Sequence, residues 1–136
     1  MSLPPVAIVA ALIRDAEGRV LLVRKAGTQA FMQPGGKREA GEDDLAALDR
    51  ELAEELGCHV VAGSAIRIGD FRAPAANEPL RDVLAAVYAV AIQGTALPQA
   101  EIAEILWADP HHLPDAELAP LTRDHILPFS RAQAGR

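Results

Sequence analysis

An α/β domain, with a mixed β-sheet and helices on its faces, is the fold class that the sequence predicts. Three observations lead there. Several short β-rich apolar runs are separated by turn residues, one segment changes to a clear helical period, and one run is apolar almost throughout. At 136 residues the chain has the length of one ordinary domain, so residues 1–136 are read as a single domain with one core.

Val6 to Ile13 is the first β-rich run. Asp15-Ala16-Glu17-Gly18 reads as a turn and Arg19 to Val23 as a second strand, which together suggest a hairpin. Lys25 to Gly36 contains Gly27, Pro34, Gly35 and Gly36 and reads as a loop suited to touching a ligand. From Asp43 to Leu56 the pattern is helical: Leu45, Leu48, Leu52 and Leu56 recur at steps of three and four and build one apolar stripe, and Gly57 follows as a stop. Val60 to Ile68 and Val83 to Ile92 read as further strands, the second apolar enough to be central in the sheet. Phe71 to Leu80 reads as an excursion between them, Ile105 to Ala108 as a short strand, and Leu113 to Arg136 as partly helical, interrupted by Pro120 and Pro128.

Composition removes several function classes. A formal charge of −6 argues against a nucleic-acid polymer as partner, which rewards clustered Lys and Arg. A small anionic ligand stays open if a metal ion supplies local positive charge. No apolar run is long enough to span a bilayer, so no membrane partner is expected. No basic region leads into a signal-type apolar core, and the lone Cys58 allows neither an internal disulfide nor a thiolate cluster. A cytoplasmic location fits these features best.

The chemistry lies on the proposed helix. Glu51, Glu54 and Glu55 share one side of it, beside the leucine stripe but rotated from it. They fall in its last two turns, where the helix dipole disfavours each negative charge by about 0.3–1 kcal/mol. Mutual repulsion adds to that cost, and a hard divalent cation such as Mg²⁺ or Mn²⁺ would remove both. A charged, solvated helix face would look the same in isolation. The surroundings argue otherwise. Gly36, Glu42, Arg50, Glu51, Leu52, Glu54, Glu55 and Gly57 fit one spaced pattern, Gly-x5-Glu-x7-Arg-Glu-Leu-x-Glu-Glu-x-Gly. A chance match has odds on the order of one in a billion per starting position, too small for accident.

This pattern resembles the Nudix box, and Pro34-Gly35-Gly36-Lys37 resembles its entry. The one departure is Cys58, where the family usually carries Ile, Leu or Val; cysteine packs as a small hydrophobe and puts no ligand in doubt. The resemblance implies the Nudix fold, an α/β/α sandwich with the box helix packed on one face of a central mixed sheet. It implies Mg²⁺- or Mn²⁺-dependent hydrolysis of a nucleoside diphosphate linked to another moiety, a nucleoside triphosphate or a nucleotide sugar or ADP-ribose-like compound. Glu54 and Glu55 are then the central metal ligands, Glu51 a further ligand or the base that activates water, and the Gly36 carbonyl an additional ligand. Arg50 would hold a box carboxylate and Glu42 would support the loop. Glu101, with Glu104 as second choice, would supply an acidic group from outside the box. Arg24, Lys25 and Lys37 flank the glycine loop as candidates for phosphate.

The resemblance leaves assembly as a homodimer open, and the box leaves the substrate open too. Pro74 stands about sixteen residues beyond the box, where a proline accompanies ADP-ribose hydrolysis, but the aromatic and proline motif expected around it is absent. The alternative is a Nudix-fold module that binds a nucleotide without cutting it; such sensors usually lose box glutamates, and none is lost here. Phe31, Tyr88 and Trp107 could stack a base but are more often core. His111 and His112 read as a loop rather than a metal site.

Overall fold

Alternation along two adjacent strands organises the molecule. In the computed structural model, which describes residues 3–134, β1 (Val6–Leu12) and β2 (Val20–Lys25) are buried on both faces. Val9, Ala11, Leu21 and Val23 enter one core cluster, with Leu48, Leu52 and Leu56 of α1 (Asp44–Leu56). Ala10, Leu12, Val20 and Leu22 enter the other, with Ile126 and Leu127 near the C-terminus. Side chains two apart share a face, so β1 and β2 form the middle of a three-layer sandwich.

The strands are divided between sheets. A four-stranded mixed sheet runs β4 (Gly35–Gly36), β1, β7 (Asp82–Ala89) and β6 (Ile66–Pro74). The β1–β7 pairing is parallel and the other two are antiparallel. A three-stranded antiparallel sheet runs β3 (Phe31–Met32), β2 and β9 (Ile102–Ala108). Short β5 (His59–Val60) and β8 (Ile92–Gln93) pair separately. The apolar run that was expected to be central is central: β7 lies between β1 and β6.

Several boundaries differ from the expectation, each for a physical reason. The hairpin exists only at its tip, where Arg14 bridges Val20 and the Leu21 N–H bonds the Ile13 carbonyl. A strand has two edges, and those of β1 are taken by β4 and β7, so β2 must pair elsewhere. Phe71 to Pro74 belong to β6 rather than to an excursion, while residues 61–65 form the turn. Pro74 is tolerated because β6 is an edge strand and the proline ends it. In the C-terminal region Thr122–Ile126 forms a π-helical turn, and α2 (Leu127–Ala134) follows directly. Pro128 therefore lies inside a helical stretch that runs over residues 120–134, and the π-helical turn directly before it marks where the helix adjusts to the missing N–H. Residues 135 and 136, included in the expected helical stretch, lie outside the described residues, as do Met1 and Ser2.

Helix α1 starts and stops on local chemistry. The Asp43 carboxylate accepts the Ala46 N–H at 2.8 Å as N-cap. Gly57 takes the left-handed conformation (φ 69°) and its N–H returns to the Ala53 carbonyl. The expected apolar stripe holds at Leu48, Leu52 and Leu56 and fails at Leu45. Leu45 is 41 % exposed, whereas Ala47, Leu48, Leu52 and Leu56 are buried, with Glu55 among them. Each buried leucine contributes about 1.5–3 kcal/mol of apolar transfer, which anchors the helix firmly enough to drag a carboxylate inside with it.

Candidate active site

The two glycines of β4 bring sheet and helix together. A Cβ on Gly35 would lie 2.1 Å from the Val9 carbonyl oxygen, and Gly35 has φ 147°, so a side chain is excluded by space and backbone alike. A Cβ on Gly36 would lie 2.6 Å from the Glu51 carboxyl carbon. The absent side chains let two helix carboxylates approach the strand: Glu51 rests against Gly36, and Glu55 accepts the Gly35 N–H at 3.2 Å.

Glu55 is 3 % exposed, and burial, with the neighbouring Glu51 carboxylate, pushes its pKa from 4.5 to about 8; the Gly35 N–H and Lys25 act in the opposite direction. A buried carboxylate beside a second one is held neutral or needs a cation. Arg50 manages the remaining charge. Its Nε and one terminal nitrogen donate to the two Glu42 oxygens at 2.7 and 2.9 Å, a bidentate pair. Its other terminal nitrogen donates to Glu51 at 3.0 Å and reaches Glu54 at 3.5 Å, and the Lys37 carbonyl accepts a further bond at 3.0 Å. The Arg50 bonds and the Glu39 N–H hold the Glu42 pKa low, while the surrounding carboxylates push that of Arg50 up.

The sequence-predicted residues divide into three groups. Glu51 and Glu55 converge on Gly35–Gly36, with Arg50 and Glu42 bracing them. Glu54 is 56 % exposed and turns toward Arg50. Among the described residues no three acidic, histidine or cysteine side chains form a finished metal cage in this arrangement. The donor set nonetheless suits a hard cation: carboxylate oxygens, one of them buried and destabilised as an anion, meet beside a main chain that no side chain shields. Glu101 is 61 % exposed and stands 3.7 Å from the Lys25 amine, on a turn where Ala100 adopts φ 52°. Arg24 is bound to Glu104 at 2.8 Å across β2 and β9 and to the Thr28 carbonyl.

A cavity of about 330 Å³ opens beside Glu55 between the two sheets. Lys25, Lys37 and Gly35 lie along it with Glu55; Ile8, Val83 and Met32 give it apolar walls, and Ala75 to Glu78 line it as well. Arg24 and Glu101 are not among its lining residues. A smaller apolar extension of about 70 Å³ continues past Pro74 to Leu121 and Thr122. Phe31 is core, Trp107 packs on the α1-side core, and Tyr88 donates to Asp44 at 2.6 Å, so none of the three lines the cavity. His111 and His112 lie in a turn closed on Asp109.

One residue of the cavity escaped the sequence reading. Gln33, 6 % exposed, lines both cavity and extension, and the only signal for it was a polar residue placed between apolar Met32 and Pro34.

Comparison with known proteins agrees with this geometry. The family model described as the NUDIX domain matches residues 4–129. A Mycobacterium tuberculosis (strain CDC 1551 / Oshkosh) protein provisionally named 8-oxo-dGTP diphosphatase 2 is 36 % identical over 104 residues, covering 75 % of this chain and 70 % of that protein. The solution structure of the E. coli ORF135 protein superimposes with a TM-score of 0.69 at 25 % identity, covering 98 % of this chain and 91 % of that one. The crystal structure of the MutT protein from Methanosarcina mazei Go1 gives a TM-score of 0.76 at 22 % identity over 100 % and 99 % of the two chains, a likeness of fold. With its box, its layered sheets and a family match over nearly its whole length, the chain belongs to the Nudix hydrolase family.

Proposed function

We propose that this chain hydrolyses the diphosphate linkage of a small nucleotide, with a nucleoside triphosphate as the preferred substrate class. One observation carries the reading: Glu55, with Glu51 beside it against Gly36, lines at Gly35 a cavity that also presents Lys25 and Lys37. The relative provisionally named a diphosphatase for 8-oxo-dGTP supports the triphosphate over a nucleotide sugar.

Glu51, Glu54 and Glu55, with the main chain at Gly36, are the oxygen donors that would hold Mg²⁺ or Mn²⁺. When bound, such an ion neutralises phosphate oxygens and lowers the pKa of a water. Lys25 and Lys37 receive the phosphate oxygens at the polar end of the cavity and orient the chain of phosphates along it. Arg50 keeps Glu51 facing Gly36, so that the carboxylate stands where the reacting phosphorus arrives. A water then attacks that phosphorus; one P–O bond forms, the bridging P–O bond breaks, and a carboxylate accepts the water's proton. For a triphosphate cut at its inner bridge the products are a nucleoside monophosphate and inorganic diphosphate.

The test is a phosphate-release screen with Mg²⁺ or Mn²⁺, coupled to an inorganic diphosphatase for nucleoside triphosphates and to an alkaline phosphatase, which acts on the newly exposed phosphomonoesters, for nucleotide sugars, ADP-ribose and dinucleoside polyphosphates. Turnover of triphosphates above the other classes is expected. Silence across the whole panel would overturn hydrolysis and leave a nucleotide-binding module.

A further inference from the structure

Gln33 is a buried carboxamide in an otherwise apolar part of the cavity, and the protein satisfies only half of it. Its Nε2 donates to the Ala11 carbonyl at 3.0 Å, and its Oε1 accepts the Thr122 hydroxyl at 3.0 Å. These two bonds fix which way the amide faces. Turned over, the side-chain oxygen would meet the Ala11 carbonyl, two acceptors with no proton between them. A carboxamide has two N–H donors and two acceptor directions, so one of each is left without a protein partner among the described residues. The unused donor and acceptor directions are available to a ligand that enters the cavity.

Its location says which part of a ligand would arrive. Gln33 precedes Gly35 by two positions, and Gly35 is the residue whose N–H meets Glu55. Carboxamide and carboxylate therefore line one continuous cavity, polar and charged at the glycine end, apolar toward Thr122. Ile8, Val83 and Met32 border the cavity and its extension alike, and Phe31, Tyr88 and Trp107 stay away. A flat ring would be gripped on its faces by aliphatic side chains and a thioether, which hold rings without distinguishing them. Discrimination must then come from an edge, and Gln33 is the buried carboxamide that lines both the cavity and its extension.

We propose that the free amide face of Gln33 reads the heterocyclic base of the nucleotide, and that Thr122 is its positioning residue. The proposal rests on the reading of the site as nucleotide-hydrolysing. Thr122 is wholly buried, and its hydroxyl is spent on Gln33. Its hydroxyl, with the Ala11 carbonyl, keeps the amide in one orientation, so a base with a matching donor and acceptor edge is favoured and one with the reverse pattern leaves buried groups unpaired.

The test measures kcat/KM for the triphosphates of the four common bases and takes the ratio of best to poorest. In Gln33→Met, which keeps the volume and removes the amide, the ratio should fall at least tenfold. In Thr122→Val it should fall by about threefold to tenfold, and Thr122→Ser, which returns the hydroxyl, should restore it. A merely structural Thr122 would lower stability without moving the ratio. If Gln33→Met does not fold, the Thr122→Val and Thr122→Ser pair decides. No base preference in the unaltered chain, or a ratio within twofold of the unaltered one in both Gln33→Met and Thr122→Val, overturns the proposal. Should the chain cut no triphosphate, the proposed activity fails separately. Calorimetric titration of the metal-free protein with nucleoside monophosphates then decides the role of Gln33: base-dependent binding lost in Gln33→Met supports it, and no binding overturns it.

Discussion

The two ends of the cavity are built in opposite ways. At the charged end, Gly36, Glu42, Arg50, Glu51 and Glu55 come from one short stretch of chain, a strand, a loop and a helix. At the apolar end, Ile8, Gln33, Ala75, Val83 and Thr122 come from five separate parts of the sequence. Chemistry is thus local and selection is distributed. A change at the first end should act on every substrate alike, whereas a change at the second should act on some more than others.

Four experiments would break or sharpen that contrast. The largest effect is expected from Glu55→Gln and Glu54→Gln, which should lower kcat by about 10²–10⁴-fold for every nucleotide cut, with far-ultraviolet circular dichroism unchanged. Near-native turnover in both would remove the box from the chemistry. Arg50→Ala should cost about 10–100-fold, through a misplaced Glu51, and should again be blind to the base. Arg50→Lys should recover little, since the bidentate contact with Glu42 needs a guanidinium. On the opposite wall, Ala75→Leu narrows the cavity and should raise KM by roughly tenfold, about 1.4 kcal/mol of lost binding, with a smaller change in kcat. An equal loss for all substrates in kcat alone would show that the two ends are not separable.

The smallest effect concerns stability. Glu55 titrates near 4.5 when unfolded and about 8 when folded, so between these values the folded state binds the extra proton. The stability that this proton confers is complete below pH 4.5 and is lost as pH rises through 8. In chelator-treated protein, thermal midpoints should decline across that window, Glu55→Gln should flatten the decline, and Mg²⁺ should offset it at pH 8. A midpoint that rises with pH between 5 and 8 in the same buffer series, and does so only when Glu55 is present, would reverse the assignment.

The same contrast explains what could be read from the sequence. The box was legible because its spacing encodes a helix face directly, and the helix ends at the stop that Gly57 implies. Even there two residues depart from the expectation: Leu45 looks apolar but faces water, while Glu55 looks polar but is buried. Which leucines meet the sheet is set by Gly35 and Gly36, whose lack of side chains lets the helix sit so close. The central strand β7 was legible from its composition. The split of β1 and β2 between sheets was not, since strand partners far along the chain decide it. Gln33 was invisible for a related reason: a glutamine in a glycine-rich loop acquires meaning only when Ala11 and Thr122 close around it.

The parallel pairing of β1 with β7 carries a consequence for how the molecule is made. Val9 pairs with Ala86, more than half the chain away, on one edge of β1 and with Gly36 on the other. On a ribosome the box helix emerges well before β7, so its carboxylates have no finished strand to face until the second half has been synthesised. Such long-range pairing is slow to close. Refolding followed by helix formation in far-ultraviolet circular dichroism and refolding followed by recovered activity should therefore separate in time, with the competent cleft among the last features to appear.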